Sequence, residues 1–156
     1  MTAPDLPDYA YNGARAMVIL HDREMRRFLA AWRKAKDSGL SLPETRDRDY
    51  ASLDHLLRHV LGCAAGYMVW MCEKLELGAP DCPLPPPSVE TMEAEADAYL
   101  DRVLAGWHEP LAGVPEKRFN EEYTSRWNVE YCIDAMMEHA VMHPIRHRYQ
   151  LEQLLG

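Results

Sequence analysis

Long apolar runs and basic residues are both scarce in this sequence, and each absence argues against a class of protein. No apolar run reaches the ~18–20 residues that a membrane-spanning helix needs. Lys and Arg number 17 against 25 Asp and Glu, which gives a formal net charge of −8. Because nucleic acids and anionic membranes are bound through basic surfaces, this balance argues against both as partners.

Cysteine is also sparse, and its spacing is informative. Cys63, Cys72, Cys82 and Cys132 form no CxxC pair and are typical of scattered reduced thiols. The start, MTAPDLPDYA, has neither a basic n-region nor an apolar h-region, so no signal peptide is predicted. These features predict a cytoplasmic protein without disulfides. Cys63 and Cys132 are expected to be small buried apolar side chains rather than metal ligands.

What the sequence does contain is helical periodicity. The 156 residues, 47% of them apolar, predict a single domain over residues 1–156 with one sizeable core. Apolar residues recur at steps of three and four in four stretches, which predicts an all-α four-helix bundle without strands or repeats. After a lead-in over residues 1–12, the helices are expected from about Ala14 to Lys36, after Ser52 as N-cap, between Ser88 and Gly106, and from Asn128 as N-cap to Leu155.

The segments between these helices carry turn and breaker signals. Gly39 is placed to cap the end of the first helix. The stretch Gly78–Pro87 is the one Pro-rich segment, and we interpret it as a stiff crossover between helices 2 and 3. Residues 107–127 lack a sustained period and are predicted to form a long connection or a partly ordered edge of a pocket.

The most informative stretch, EHAVMHPIRHRYQ, lies in the fourth helix. His139, His143 and His147 follow one another at intervals of four residues, so on a helix they share one face. That face continues the apolar stripe, and the imidazoles are therefore expected to point inward. Burying an unpaired polar group costs about 2–7 kcal/mol, depending on the reference state. A metal ion would satisfy several neutral imidazoles together, and the alternative is a hydrogen-bonded polar core without metal.

Two neighbouring residues refine this interpretation. The HxxxH spacing is shared with the HExxH zinc proteases, but Pro144 occupies the position of the Glu, which sets that interpretation aside. Pro144 is expected either to kink the helix and aim the histidines at a common centre, or to be a simple tolerated bend. Gln150 is a candidate to hold an imidazole or a water molecule, or is the polar end of the helix.

Two short motifs carry a family resemblance. An LxxH pattern ends at His59 in the second helix, with Tyr67 and Trp70 downstream, and HxxxHRxQL spans His143–Leu151. Together with the number and order of the helices, these motifs resemble the DinB/YfiT-like family of DNA-damage-inducible metalloenzymes. The chain has Tyr149 where that family commonly has Gly, so packing at the helix end is expected to differ.

The resemblance implies one divalent ion bound by His59, His143 and His147. His59 lies at one side of the apolar arc of its helix. Its ring reaches such a site if that helix packs between two others. His139 is then an extra histidine, either beside the ligands, in the core or itself a ligand. Zn²⁺ and Ni²⁺ suit imidazole best, and ligand type does not exclude Mn²⁺ or Fe²⁺.

The remaining histidines are expected outside the metal site. His21 lies on the inner stripe of the first helix, as a core histidine or as part of a cavity wall. His55 and His108 are expected to be exposed.

Three histidines leave an open coordination position, which a catalytic site needs and a structural zinc site lacks. The resemblance therefore implies a metal-dependent enzyme acting on a small-molecule substrate. It implies either thiol-dependent transfer or isomerisation, with a low-molecular-weight thiol, or metal-assisted hydrolysis. It also implies a homodimer. The alternative is a non-catalytic metal-binding stress-response protein that acts as a dimer.

Overall fold

A computed structural model describes residues 5–156, within which four α-helices account for most of the chain. The prediction of a four-helix, mostly helical fold is confirmed, while the first four residues of the predicted lead-in lie outside the described residues. No helix in this part of the chain has the length and apolar content needed to cross a membrane. The helices are α1 (Asn12–Asp37), α2 (Leu53–Lys74), α3 (Val89–Ala105) and α4 (Ile133–Leu155).

Short elements lie between the helices. Single 3₁₀ turns occur at Arg48–Tyr50 before α2 and at Glu116–Asn120 after α3. Two antiparallel strands, β1 (Glu122–Thr124) and β2 (Glu130–Cys132), form a hairpin directly before α4. The sequence predicted no strand, and this was wrong, because three-residue strands are too short to show an alternating pattern.

Several helix ends follow the predicted signals. Ser52 precedes α2, and its hydroxyl oxygen accepts a hydrogen bond from the backbone N–H of His55 at 3.3 Å. Gly39 follows α1 with a φ of 71°, a left-handed conformation that suits glycine and ends the helix as predicted. Ser88 and Gly106 flank α3.

The start of the fourth helix was predicted incorrectly. Asn128 is not its N-cap but lies in the hairpin turn with a φ of 57°, a left-handed conformation that Asn tolerates better than most residues. Its backbone N–H donates to the carbonyl oxygen of Ser125 at 3.0 Å. The N-cap is Cys132, whose sulfur accepts from the backbone N–H of Ala135 at 3.4 Å. Cys132 is therefore a capping residue rather than a buried apolar side chain.

A single hydrophobic core draws residues from all four helices. α1 packs mainly against α4, and α2 contacts both α3 and α4. Two buried indoles tie other parts of the chain to α2: Trp32 donates to the carbonyl oxygen of Leu53 at 2.6 Å, and Trp107 to that of Ala64 at 3.0 Å. These contacts hold α2 in place beside α4, and the candidate site lies between those two helices.

The connection after α3 is anchored rather than loose. Its apolar side chains Trp107, Leu111, Val114 and Phe119 are all buried in the core. Its last residues pass into the hairpin and border a cavity, as the sequence suggested for the edge of a pocket.

His21 is buried in the core, with none of its surface exposed. Its ring stacks on Trp107, with the ring centroids 3.8 Å apart and the planes 18° from parallel. Within residues 5–156 neither ring nitrogen has a hydrogen-bond partner. Burial away from water lowers the pKa of His21 to about 3, so the ring is neutral at neutral pH.

Replacing His21 with Phe is expected to reduce the acid sensitivity of the fold. The ordinary pKa of histidine is about 6.5, so between that pH and about 3 the unfolded chain binds a proton that the folded chain does not. Stability is therefore lost as the pH falls through this window, by up to about 1.4 kcal/mol per pH unit for this one group. Urea unfolding of both proteins at pH 7, 6 and 5 measures how the free energy of unfolding changes with pH. An unchanged slope of unfolding free energy against pH in the His21→Phe variant would contradict the assignment.

Candidate metal centre

Helices α2 and α4 bring three imidazole rings into contact. The Nε2 atom of His143 lies 3.1 Å from Nε2 of His59 and 3.3 Å from Nε2 of His147. His143 and His147 are one turn apart on α4, and both are buried. His59 reaches them from α2 with 19% of its side chain exposed. The three histidines named from the sequence are therefore neighbours.

Hydrogen bonds hold the outer nitrogens of two of these rings. Nδ1 of His59 lies 2.9 Å from Oδ2 of Asp49, and Nδ1 of His147 lies 2.9 Å from Oε1 of Gln150. Because carboxylate and amide oxygens only accept, Nδ1 of each ring carries the proton. In the neutral rings, Nε2 therefore presents a lone pair toward His143. Gln150 holds an imidazole, which is one of the roles expected from the sequence.

The three Nε2 atoms cannot all satisfy one another. Nε2 of His143 carries at most one proton and can donate to His59 or to His147 but not fully to both. The lone pair of one nitrogen then faces the lone pair of another at close range. A cation bound between them would remove this repulsion. Nitrogens at two corners of a tetrahedral zinc site, with Zn–N bonds of ~2.0–2.1 Å, are about 3.3–3.4 Å apart. The observed 3.1 and 3.3 Å are close to this spacing.

Burial keeps the two α4 rings neutral. Loss of water contact lowers the pKa of His143 to about 2 and that of His147 to about 4. At His59, loss of water contact is again the largest single influence and acts to lower the pKa, but the contacts with Cys63 and Asp49 together outweigh it and raise the pKa. Neutral imidazole is the form that binds a metal ion.

Cys63 is a member of the cluster that the sequence interpretation missed. Ligand atoms of His59, Cys63 and His143 all lie within 4.8 Å of one another, and this His–Cys–His group, to which His147 does not belong, could hold a metal ion. The Cys63 side chain is half-buried rather than buried as expected. It follows His59 by one helical turn, the same spacing that identified the α4 histidines, and this was the signal that could have found it.

Cys63, His59 and Asp49 do not form a nucleophilic relay of the Cys–His–Asp kind. In such a relay the thiol and the carboxylate contact opposite nitrogens of the imidazole. Here the sulfur lies 3.9 Å from Nδ1 of His59, the same nitrogen that contacts Asp49. The opposite nitrogen, Nε2, faces His143 instead.

His139 lies in an aromatic wall beside the cluster. Its ring stacks on His143 with the centroids 6.1 Å apart, and it lies within 6 Å of the rings of Tyr67, Trp127 and Tyr131. It is half-buried and does not belong to the His–Cys–His group. Loss of water contact lowers its pKa, with smaller effects from nearby arginines.

Two cavities near the cluster share Asp47 and Tyr50 in their walls. One, of about 330 Å³, is lined by His59, Cys63 and His143 together with charged side chains of both signs. The other, of about 530 Å³, has mostly apolar walls that include Leu56 and Leu151. Tyr50 lines both, and its ring centroid lies 5.6 Å from that of His147. Ligand pockets usually have volumes of about 300–1,000 Å³. The larger cavity lies within this range, and the smaller one lies at its low end.

The remaining histidines lie outside the cluster. His21 is in the core, as one of its two sequence expectations had it. His55 and His108 were expected to be exposed, but both are half-buried. Nδ1 of His55 lies 2.9 Å from the hydroxyl oxygen of Ser52 at the start of α2, and this contact covers part of the ring.

Comparisons with models of known protein families, with curated protein sequences and with solved structures give no significant match. The resemblance to the DinB/YfiT-like family therefore stays a prediction that rests on the motifs around His59, His143 and His147. The evidence for a site is the geometry of the side chains themselves.

Replacing Gln150 with Leu is expected to weaken zinc binding about 10–100-fold, since a ligand histidine loses the acceptor that fixes its tautomer and orientation. Gln153→Leu is the matched control: both glutamines lie on α4 and line the apolar cavity, but of the two, within residues 5–156, Gln150 alone contacts His147. Competition with a chromophoric chelator measures both affinities. Equal affinities in the two variants would contradict a role for Gln150 in holding His147.

Proposed function

We propose that this chain is a divalent-metal-dependent enzyme that transfers a low-molecular-weight thiol to a small electrophilic substrate. The observation that carries the proposal is that Nε2 of His143 lies 3.1 Å from Nε2 of His59 and 3.3 Å from Nε2 of His147. Two of these atoms present lone pairs, and the low-dielectric interior makes that arrangement costly without a cation.

The three histidines are preferred over the His–Cys–His group as the resident ligands. His59 and His147 each have an outer nitrogen bonded to an oxygen acceptor, which is the usual support for a metal-bound imidazole. The sulfur of Cys63 approaches the Nδ1 side of His59, which Asp49 already occupies. Cys63 therefore lies at the edge of the centre. Imidazole ligands favour Zn²⁺ or Ni²⁺.

A bound divalent ion would supply Lewis acidity that lowers the pKa of a thiol or water molecule reaching it. The chain supplies the ligands, the oxygen atoms that orient them, and a cavity of about 330 Å³ through which a small molecule reaches the rings. Loss of water around the α4 rings keeps them neutral and ready to bind.

The pocket favours a thiol over water as the nucleophile. A general base such as a carboxylate assists the activation of water. Of the two carboxylates that line this cavity, Asp49 contacts Nδ1 of His59, and one oxygen of Asp47 accepts from the backbone N–H of Asp49 at 3.0 Å. A thiol has an ordinary pKa of about 8.5 and needs much less help to lose its proton.

Two adjoining cavities also suit a reaction with two substrates. Transfer forms a bond between sulfur and the electrophilic carbon, while the thiol proton goes to water and the leaving group departs with its electron pair. Asp47 and Tyr50 line both the charged cavity and the apolar one. A thiol and an electrophile would then each have a cavity of their own, with the charged cavity in contact with His59 and His143.

Assembly and location stay predictions. The family resemblance implies a homodimer, and the methionines that could have formed its interface, Met68, Met71, Met136 and Met137, are buried in the core. The apolar side chains that α4 exposes are Met142, Tyr149 and Leu154. A cytoplasmic location rests on the sequence alone.

Tag-free protein is expected to contain close to one divalent ion per chain and to lose it in His143→Ala and His147→Ala variants, because each substitution removes one of three ligands. Cys63→Ser is the matched control and is expected to retain the metal. Elemental analysis measures the content. The same preparations are then assayed for conjugation of small thiols, including cysteine and glutathione, to an aryl halide, with and without chelator.

The expected result is conjugation that chelation abolishes, that added metal restores, and that the two histidine variants lack. Bound metal with chelator-sensitive ester hydrolysis but no thiol conjugation would replace transfer with hydrolysis. Bound metal without either activity would favour a non-catalytic metal-binding protein. Full metal content in both histidine variants would show that the centre lies elsewhere.

A further inference from the structure

Two arginines at the charged cavity lack acidic partners. Arg126 and Arg146 are both exposed and both line the cavity. Seven of the 13 arginines lie in ion pairs, and within residues 5–156 no carboxylate oxygen comes within 4.0 Å of the guanidinium of Arg126 or Arg146. Two guanidinium groups without acidic partners at one cavity form a suitable binding site for an anion.

The fold brings both arginines to the histidine cluster. Arg146 lies on α4 between His143 and His147, and Arg126 lies in the turn of the hairpin that precedes α4. One guanidinium nitrogen of Arg126 is 3.8 Å from the sulfur of Cys63, and that sulfur is 3.9 Å from the ring of His59. A single sulfur atom therefore separates Arg126 from the proposed centre.

Aromatic rings line the same side of the cavity. The guanidinium of Arg126 lies over the ring of Trp127, 4.9 Å from its centroid, which restrains an otherwise exposed side chain. Trp127 is 44% exposed, and its ring lies 6.3 Å from that of Tyr67. A planar apolar group would find the exposed ring of Trp127 here beside two positive charges, with the largely buried Tyr67 also lining the cavity.

We infer that the cavity binds a small substrate whose carboxylate lies between Arg126 and Arg146, with an apolar or aromatic body against Trp127 and Tyr67. This inference rests on the proposed function, because it names the substrate class of the same site. The carboxylates of Asp47 and Asp49 line the same cavity and disfavour a doubly charged group such as a phosphate monoester. A singly charged carboxylate suits this balance, and the planar guanidinium matches its two oxygens.

Calorimetric titration of tag-free protein at low ionic strength tests the inference, with benzoate, benzyl alcohol and phenyl phosphate as probes. Benzoate is expected to bind more tightly than the other two. Arg126→Gln and Arg146→Gln are each expected to weaken benzoate binding about tenfold or more, because a charge-assisted hydrogen bond is lost. Arg15→Gln is the matched control: Arg15 is exposed on α1, does not line the cavity and is expected to leave the affinity unchanged.

Each titration is run on zinc-loaded and on chelator-treated protein, and thermal unfolding verifies that all variants fold. Loss of affinity in both arginine variants, in either metal state, supports the inference. Unchanged benzoate affinity in these variants would overturn it, as would tighter binding of benzyl alcohol or of phenyl phosphate. Failure of zinc to bind wild-type protein would overturn the proposed metal function instead, while the effect of the arginines on chelator-treated protein would still be measured.

Discussion

Nitrogen lone pairs that face one another inside a low-dielectric interior are the constraint on which the candidate site depends. Asp49 and Gln150 fix the protons of two imidazoles on their outer nitrogens, so the inner nitrogens can only accept. His143 stands between them with at most one proton to donate. A divalent cation would relieve both contacts, because the 3.1 Å between His59 and His143 and the 3.3 Å between His143 and His147 are close to the spacing of two ligands on one zinc ion.

The packing of α2 beside α4 brings these side chains together. His143 and His147 share a face because they are one turn apart on α4, but His59 must come from α2, and its approach requires the two helices to be held together. The buried indoles of Trp32 and Trp107 provide part of this restraint through hydrogen bonds to the backbone of α2. The hairpin before α4 adds Arg126 at the rim of the cavity, so the same local fold brings charge to the centre.

Much of this arrangement could be predicted from the sequence, because it follows from helical period. The helices, the inward face of α4 and the role of Gln150 beside His147 all follow from spacings of three and four residues. The hairpin did not, because its strands are three residues long, and Asn128 in a left-handed turn looks the same in sequence as an N-cap. Cys63 was missed although it follows His59 by one helical turn, because a lone cysteine on a helix was expected to be a small buried apolar side chain. The contact of Asp49 with His59 depends on how the 3₁₀ turn before α2 folds back on that helix, and three residues are too few to show a period.

X-ray absorption spectroscopy at the zinc edge of tag-free, zinc-loaded protein tests the three-histidine centre most directly. The expected spectrum has three imidazole nitrogens at about 2.0–2.1 Å and one further light atom, with no sulfur. A sulfur shell at about 2.3 Å would show a cysteine ligand and favour the group of His59, Cys63 and His143 instead. A spectrum of hydrated zinc without imidazole scattering would show that the three rings meet without holding an ion.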